Sequence, residues 1–429
     1  KASHNCKERV RQLAGTMSGG EQAMLSTGRG VMAAQKMPTC VQDTSVRTEE
    51  EDDMTAQLNA IELTRQIVRM NTINPPGQEE PCARHLGALL QKAGFRVRYH
   101  ELSPQRASLV ATIGGTADKA PLCFTGHIDT VPLGAATWKM DPFAADTEGG
   151  KLYGRGTSDM KCGVAAFVAA ALNLADKLAR SPGLELVITA GEETGCEGAF
   201  HLTQKSGALG RAGAVVVGEP SSNYPFVGHR GAFWLNARTR GVTAHGSMPE
   251  KGVNAVFKAA RAVAILEKFH FTNPPHPLMG QATLNVGTIR GGLNINSVPD
   301  EAVIGVDIRT VPGIKHAQLK AELMRQLGEE VELEIILDLE SVSTEPTHPW
   351  IQEVFEVMRP FLGDRPQPRA ATYFTDAAAL NVAYGTPPTV ILGPGEAQMA
   401  HQTNEYCVVD RVTEAVAAYE EIARRWCGI

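Results

Sequence analysis

From residue 58 onward, segments with apolar residues at helical spacing alternate with short apolar runs bounded by glycine or proline. The alternation breaks off near residue 227 and resumes near 338. That interrupted rhythm limits the possible folds more than any other feature of the chain. Residues 58–70 are apolar at helical spacing and stop before Asn74-Pro75-Pro76-Gly77, and a second helix over 83–93 ends at Gly94. Short strands are predicted at 108–113, 122–125, 184–189 and 214–217, with a buried helix over 163–178. Helices alternating with such strands indicate an α/β domain with a mainly parallel sheet. The middle differs: strands at 232–239, 282–289, 302–309 and 331–336 are longer and partly alternating, with helices over 253–269 and 315–327. Two helices on a four-stranded antiparallel sheet is the expected α+β solution. A helix over 350–361, a strand at 389–392 and a helix over 410–426 return to the first pattern. Residues 54–226 and 338–429 are thus read as one α/β domain and 227–337 as an inserted lid, and 429 residues suit two domains.

Charge and cysteines exclude several classes. With 41 basic and 47 acidic residues the net charge is −6, which argues against a nucleic-acid surface. The longest apolar run, 163–174, falls short of the roughly 18–20 residues of a membrane span. None of the eight cysteines forms a Cys-x-x-Cys pair, so scattered reduced thiols in a cytoplasmic protein are expected. Residues 1–53 are polar and end in an acidic run at 48–53. Their stretch 13–34, LAGTMSGGEQAMLSTGRGVMAA, resembles the signature segment of ABC-transporter ATPases. The chain contains no Gly-x-x-x-x-Gly-Lys-Ser/Thr loop to cradle phosphates, so ATPase activity is not expected. Residues 1–53 are read as lying outside the enzyme fold, with Met54 as a plausible start.

Five segments place acids and histidines at or near strand ends, where open α/β sheets bind ligands. They are GHIDTVP (126–132), YGRGTSDMK (153–161), AGEETG (190–195), GEPS (218–221) and GPGEAQMAHQTNEY (393–406). Each alone has a bland alternative. His127 and Asp129 could form a surface turn, and Asp159 could be a helix N-cap. Glu192 and Glu193 could lie in a solvated loop, and His401 could be structural. Together, two histidines and several carboxylates make a donor set that Zn²⁺ accepts, and a shared carboxylate would make a two-metal hydrolytic site.

In order and spacing these motifs resemble the family of acetylornithine deacetylase, succinyl-diaminopimelate desuccinylase and related di-zinc carboxypeptidases and aminoacylases, over residues 54–429. The resemblance implies two divalent ions, Zn²⁺ or Co²⁺. His127 and Glu219 would hold one, Glu193 and His401 the other, with Asp159 bridging. Asp129 would steady His127, and Glu192 would be the general base that takes a proton from a water between the metals. It implies a homodimer through the lid, with His245 (in GVTAHGS) reaching a partner's site to steady an oxyanion and Asn296 (in NSVP) as a second donor. Arg309 (in DIR) would clamp a substrate carboxylate. Cys162 departs from the family, which usually has glycine there.

The function implied is hydrolysis of the amide bond of small N-acyl amino acids. A carboxypeptidase or dipeptidase is the alternative, and a non-catalytic metal-binding protein a distant one. Glu219, where aminopeptidases of the family have aspartate, resembles the deacylase and carboxypeptidase branches.

Overall fold

The computed structural model of the chain describes residues 59–115 and 118–429. The acidic run at 48–53 and the ATPase-like stretch 13–34 lie outside the described residues.

A six-stranded sheet runs in the order Arg96–Ser103, Arg106–Ile113, Leu184–Thr189, Leu122–His127, Ala214–Val217, Thr389–Ile391. The last four strands are mutually parallel, and the first two join antiparallel at one edge. The chemistry of each strand fits its place. Leu184–Thr189 and Ala214–Val217 are buried along their whole length, as parallel strands covered on both faces must be. Arg96–Ser103, RVRYHELS, carries the charges that keep an edge strand from pairing with another chain. On one face pack the helices Ala60–Val68, Glu80–Lys92, Cys162–Leu178, Pro349–Leu362 and Val409–Cys427. Glu197–Gln204 and Ala377–Ala383 cover the other.

Cys162–Leu178 is the centre of that core. With the turn before it, residues 157–178 form a 22-residue stretch long and apolar enough to cross a membrane, yet 83% of its apolar window is buried inside the protein. The sequence reading ended the apolar run at Leu174, ahead of the charged Asp176 and Lys177. The helix approaches Gly218 so closely that a Cβ on Gly163 would stand 2.0 Å from the Gly218 carbonyl oxygen. That contact brings the end of Ala214–Val217, and Glu219 beyond it, against the loop that carries Asp159.

The second sheet is wholly antiparallel, in the order Thr283–Gly291, Glu301–Thr310, Gly231–Arg240, Val331–Leu339. Its alternating burial sends Phe233, Leu235, Ala237, Ile304 and Ile308 toward the helices Ala255–Glu267 and His316–Leu327. Trp234, paired opposite Asp307, faces the other way, as does Arg309 two residues on. The fold is therefore α/β with a mainly parallel main sheet and a separate antiparallel sheet bearing two helices.

Several strand limits differ from the sequence reading. The strand expected to end at Thr125 continues through His127. The helix expected from 253 starts at Ala255, where the Asn254 side chain caps the Phe257 amide at 3.0 Å.

Candidate metal centre

The carboxyl ends of the parallel strands deliver the candidate ligands. His127 is the last residue of its strand. Glu192 and Glu193 follow Leu184–Thr189, Glu219 follows Ala214–Val217, and His401 lies in the loop after Thr389–Ile391. Asp159 comes from the turn before Cys162–Leu178 and is not a helix cap: its backbone is extended (φ −116°, ψ 95°) and Lys161 is the N-cap residue.

The two oxygens of the Asp159 carboxylate reach different histidines. Oδ1 stands 3.2 Å from His127 Nε2 and Oδ2 stands 3.5 Å from His401 Nε2. Glu219 Oε1 is 3.6 Å from His127 Nε2, and Glu193 Oε2 is 3.0 Å from His401 Nε2. His127, Asp159 and Glu219 form one set with ligand atoms within 4.8 Å of one another, and Asp159, Glu193 and His401 form a second. Asp159 belongs to both. Glu192 flanks the pair, its Oε2 4.0 Å from His127 Nε2.

The surrounding groups fix the orientation of these ligands. The Nδ1 of His127 faces the Asp129 carbonyl oxygen at 3.0 Å and the Asp129 carboxylate at 3.3 Å, which leaves Nε2 free to bind an ion. The Asp129 carboxylate also accepts from the amides of Glu192 and Glu193 and from the Asn74 side chain, at 3.0, 3.2 and 3.0 Å. Burial pushes the Asp129 carboxyl up, but His127, Asn74 and the Glu192 amide outweigh it and hold the group below its ordinary value. Glu405, fully buried, receives the amides of Gly156, Ser158 and Asp159 at 2.8–3.0 Å and the Arg155 guanidinium at 2.7 Å, so it shapes the turn that presents Asp159. His401 sits in the left-handed region (φ 63°), a strained conformation for a non-glycine residue and one that clusters at functional sites.

The site fits a pair of cations. Burial, and then the neighbouring carboxylates, push Glu192 and Glu219 well above the ordinary carboxylate range despite the opposing pull of His127. Burial and Asp159 push Glu193 up to about 7, against the pull of His401. Glu193 Oε1 is buried without a hydrogen-bond partner. Three carboxylates and two imidazole nitrogens aimed at shared points, with Glu192 beside them, form a charge cluster that divalent ions would neutralise, with the oxygen and nitrogen donors that zinc takes.

The remaining candidates are divided. Arg309 lines a cavity of 330 Å³ together with Asp159, Glu192, Glu193, Glu219 and His401. His245 and Asn296 do not: both are exposed on the second sheet's periphery, adjacent to each other through the Gly246 amide, which donates to the Asn296 carbonyl at 2.7 Å. Cys162 is buried, its sulfur near the Ser158 carbonyl, and burial together with Cys407 pushes the thiol well up. The sequence reading gave no role to Asn74 or Glu405, although both stand in stretches it quotes, the Asn-Pro-Pro-Gly loop and the 393–406 motif.

A family model, Peptidase family M20/M25/M40, matches residues 123–425. An acetylornithine deacetylase of Proteus mirabilis is 31% identical over 374 residues, covering 81% of this chain and 91% of the relative. A protein of Staphylococcus epidermidis named a probable succinyl-diaminopimelate desuccinylase is 29% identical over 404 residues, covering 86% of this chain and 98% of the relative. Among solved structures, an M20 family metallo-carboxypeptidase from Sulfolobus solfataricus superposes with a TM-score of 0.72 at 18% identity, covering 86% of this chain and 99% of the other. A tripeptidase of Staphylococcus aureus gives 0.68 at 24% identity, with 86% and 98% covered. The likeness of residues 13–34 to an ATPase signature finds no support in these comparisons.

Proposed function

This chain belongs to peptidase family M20/M25/M40, a metallohydrolase family, and from that premise we propose that it removes the acyl group from small N-acyl amino acids at a two-metal site. The observation that carries this reading is the Asp159 carboxylate, whose oxygens stand 3.2 and 3.5 Å from two different histidines. That is the arrangement a bridging ligand needs. We assign His127 and Glu219 to one ion, Glu193 and His401 to the other, and Asp159 to both. The mixed nitrogen and oxygen donors suit zinc, with cobalt as a substitute.

When bound, the ions would acidify a water and polarise the amide carbonyl. The chain's own residues would do the rest. Glu192, beside His127 and buried away from bulk water, takes a proton from the attacking water and hands it to the leaving amine. Asp129 holds His127 in the tautomer that leaves Nε2 free. Arg309 uses its Nε on Asp307 at 3.0 Å. Among the described residues its terminal amino groups have no partner, so they are available to a substrate carboxylate.

We read residues 227–337 as a lid inserted into the catalytic domain, 54–226 and 338–429, and as the contact between two copies of the chain. Thr283–Gly291 is an edge strand, Ile289 on it and Phe257 are exposed, and Leu293 and Ile295 are exposed in the chain just before Asn296. An apolar patch on an open sheet edge supports a second copy as its cover. In such a dimer His245 and Asn296 would serve the partner's site as oxyanion donors. The six described cysteines are all free and buried, which supports a reducing, cytoplasmic setting.

A metallopeptidase would use the same ions and base. Purified protein, stripped by a chelator and reloaded with zinc or cobalt, is screened for amine release from N-acetyl, N-succinyl and N-formyl amino acids and from dipeptides. Release from the acyl amino acids that appears only after reloading is expected. Turnover of dipeptides alone would replace the deacylase reading with the peptidase one.

A further inference from the structure

The cavity beside the candidate metals has two unlike halves. One holds the four carboxylates and His401. The other is lined by Trp234, Tyr373, Phe374 and Arg309. The guanidinium carbon of Arg309 lies 5.9 Å from the Trp234 ring centre and 5.7 Å from that of Phe374. The two rings meet edge to face at 6.2 Å. Two of these aromatic side chains are also held by hydrogen bonds. The indole N–H of Trp234 donates to Asp307 at 2.8 Å, which uses the same carboxylate that fixes Arg309. The Tyr373 hydroxyl donates to the Pro220 carbonyl at 2.7 Å, beside Glu219. These rings and Arg309 come from the second sheet and residues 373–374, whereas the carboxylates come from the strand ends of the first sheet and the turn before Cys162–Leu178.

Resting on the hydrolase reading above, we propose that the amino-acid portion of the substrate carries an apolar or aromatic side chain, and that Phe374 and Trp234 select it. The geometry is direct. A carboxylate on Arg309 and the side chain of the same amino acid share one α-carbon. The side chain therefore leaves the backbone within a few bonds of the guanidinium, where the rings of Trp234 and Phe374 stand. An aryl or branched aliphatic group packs there at ordinary ring spacings. A side-chain ammonium would face Arg309, a like charge, and the Asp307 carboxylate beside it is already shared between Arg309 and Trp234. The selectivity thus departs from the cationic amino acids in the names of the relatives at about 30% identity.

The test compares N-acetylphenylalanine, N-acetylleucine, N-acetylglycine and N-acetylornithine on zinc-loaded enzyme, by kcat/KM. Phenylalanine or leucine is expected to exceed ornithine at least tenfold, a ratio one apolar contact region can supply. Phe374→Ala should cut the phenylalanine-to-glycine ratio of kcat/KM about tenfold, mostly through KM, while Phe374→Leu should restore most of it. A fold defect would lower both substrates together and leave the ratio unmoved. Calorimetry on Glu192→Gln protein, which should not turn substrate over, is expected to rank binding in the same order. Equal or faster turnover of N-acetylornithine overturns the selectivity and leaves the hydrolase reading intact. Amine release from none of the four, nor from their N-succinyl and N-formyl counterparts, by metal-loaded enzyme overturns both.

Discussion

Replacing Glu405 with alanine should both destabilise the protein and loosen the metal site. The Glu405 carboxylate is fully buried and accepts four hydrogen bonds, from Arg155 and from the amides of Gly156, Ser158 and Asp159. Arg155 is itself only 2% exposed and keeps two backbone carbonyls, those of Gln402 and Pro132, as its other partners. Truncation leaves a buried guanidinium without its counter-charge, which costs about 3–5 kcal/mol. With an unfolding entropy of about 2.1 cal/mol/K per residue over the roughly 370 described residues, each kcal/mol moves the melting temperature roughly 1.3 °C. The expected drop is then about 4–7 °C. The freed amides belong to the turn carrying Asp159, so affinity for zinc should fall about 10–100-fold, as for other groups that orient ligands. Glu405→Gln keeps the shape but faces an amide N–H₂ toward donors, so it should lie between the two. Circular dichroism melts and competition with a fluorescent zinc chelator measure both effects. If Glu405→Ala melts within about 1 °C of the parent and binds zinc unchanged, this carboxylate does not shape the turn, and the reasoning is wrong.

Three further outcomes are expected. Glu192→Ala should keep both ions by elemental analysis but lose about 10²–10⁴-fold in turnover, and near-normal turnover would remove it from the base role. If His245 acts across a dimer, mixing inactive Glu192→Ala and His245→Ala proteins should restore about a quarter of parental activity, since half the random dimers carry one intact site; no recovery after demonstrated subunit exchange would count against it. His229 is buried and burial holds its ring down at about 4, so the unfolded chain binds a proton that the folded chain refuses. Its contribution is present above the unfolded value near 6.5 and is lost as pH falls toward 4, by roughly 3 kcal/mol. His229→Gln should show a shallower fall in denaturant midpoint between pH 7 and 4, and an unchanged slope would contradict that assignment.

Much of this architecture was legible because its signals are local. Leu184–Thr189 and Ala214–Val217 are continuous apolar runs between breakers, and the sequence reading placed both with the limits the structure has. The motif residues His127, Asp159, Glu192, Glu193, Glu219 and His401 were visible as acids and histidines near strand ends, and the structure brings them together. What escaped depends on tertiary neighbours. Arg96–Ser103 has too many charges to read as a strand and is one only because Arg106–Ile113 pairs with it. Glu405 looks like any loop glutamate until the turn at 154–161 closes over it. Arg309 stood out through its DIR motif, but Trp234 and Asp307 read as unrelated strand residues, and antiparallel register puts all three on one face. His245 shows the converse. It has a recognisable motif, yet within one chain it lies on an exposed surface away from the cavity.

The most direct test is a crystal of the zinc-loaded protein measured on both sides of the zinc absorption edge. Two anomalous peaks per chain are expected, about 3.5–4 Å apart, one between His127 and Glu219, the other between Glu193 and His401, with Asp159 touching both. A single peak, or two that do not share Asp159, would contradict the two-metal centre.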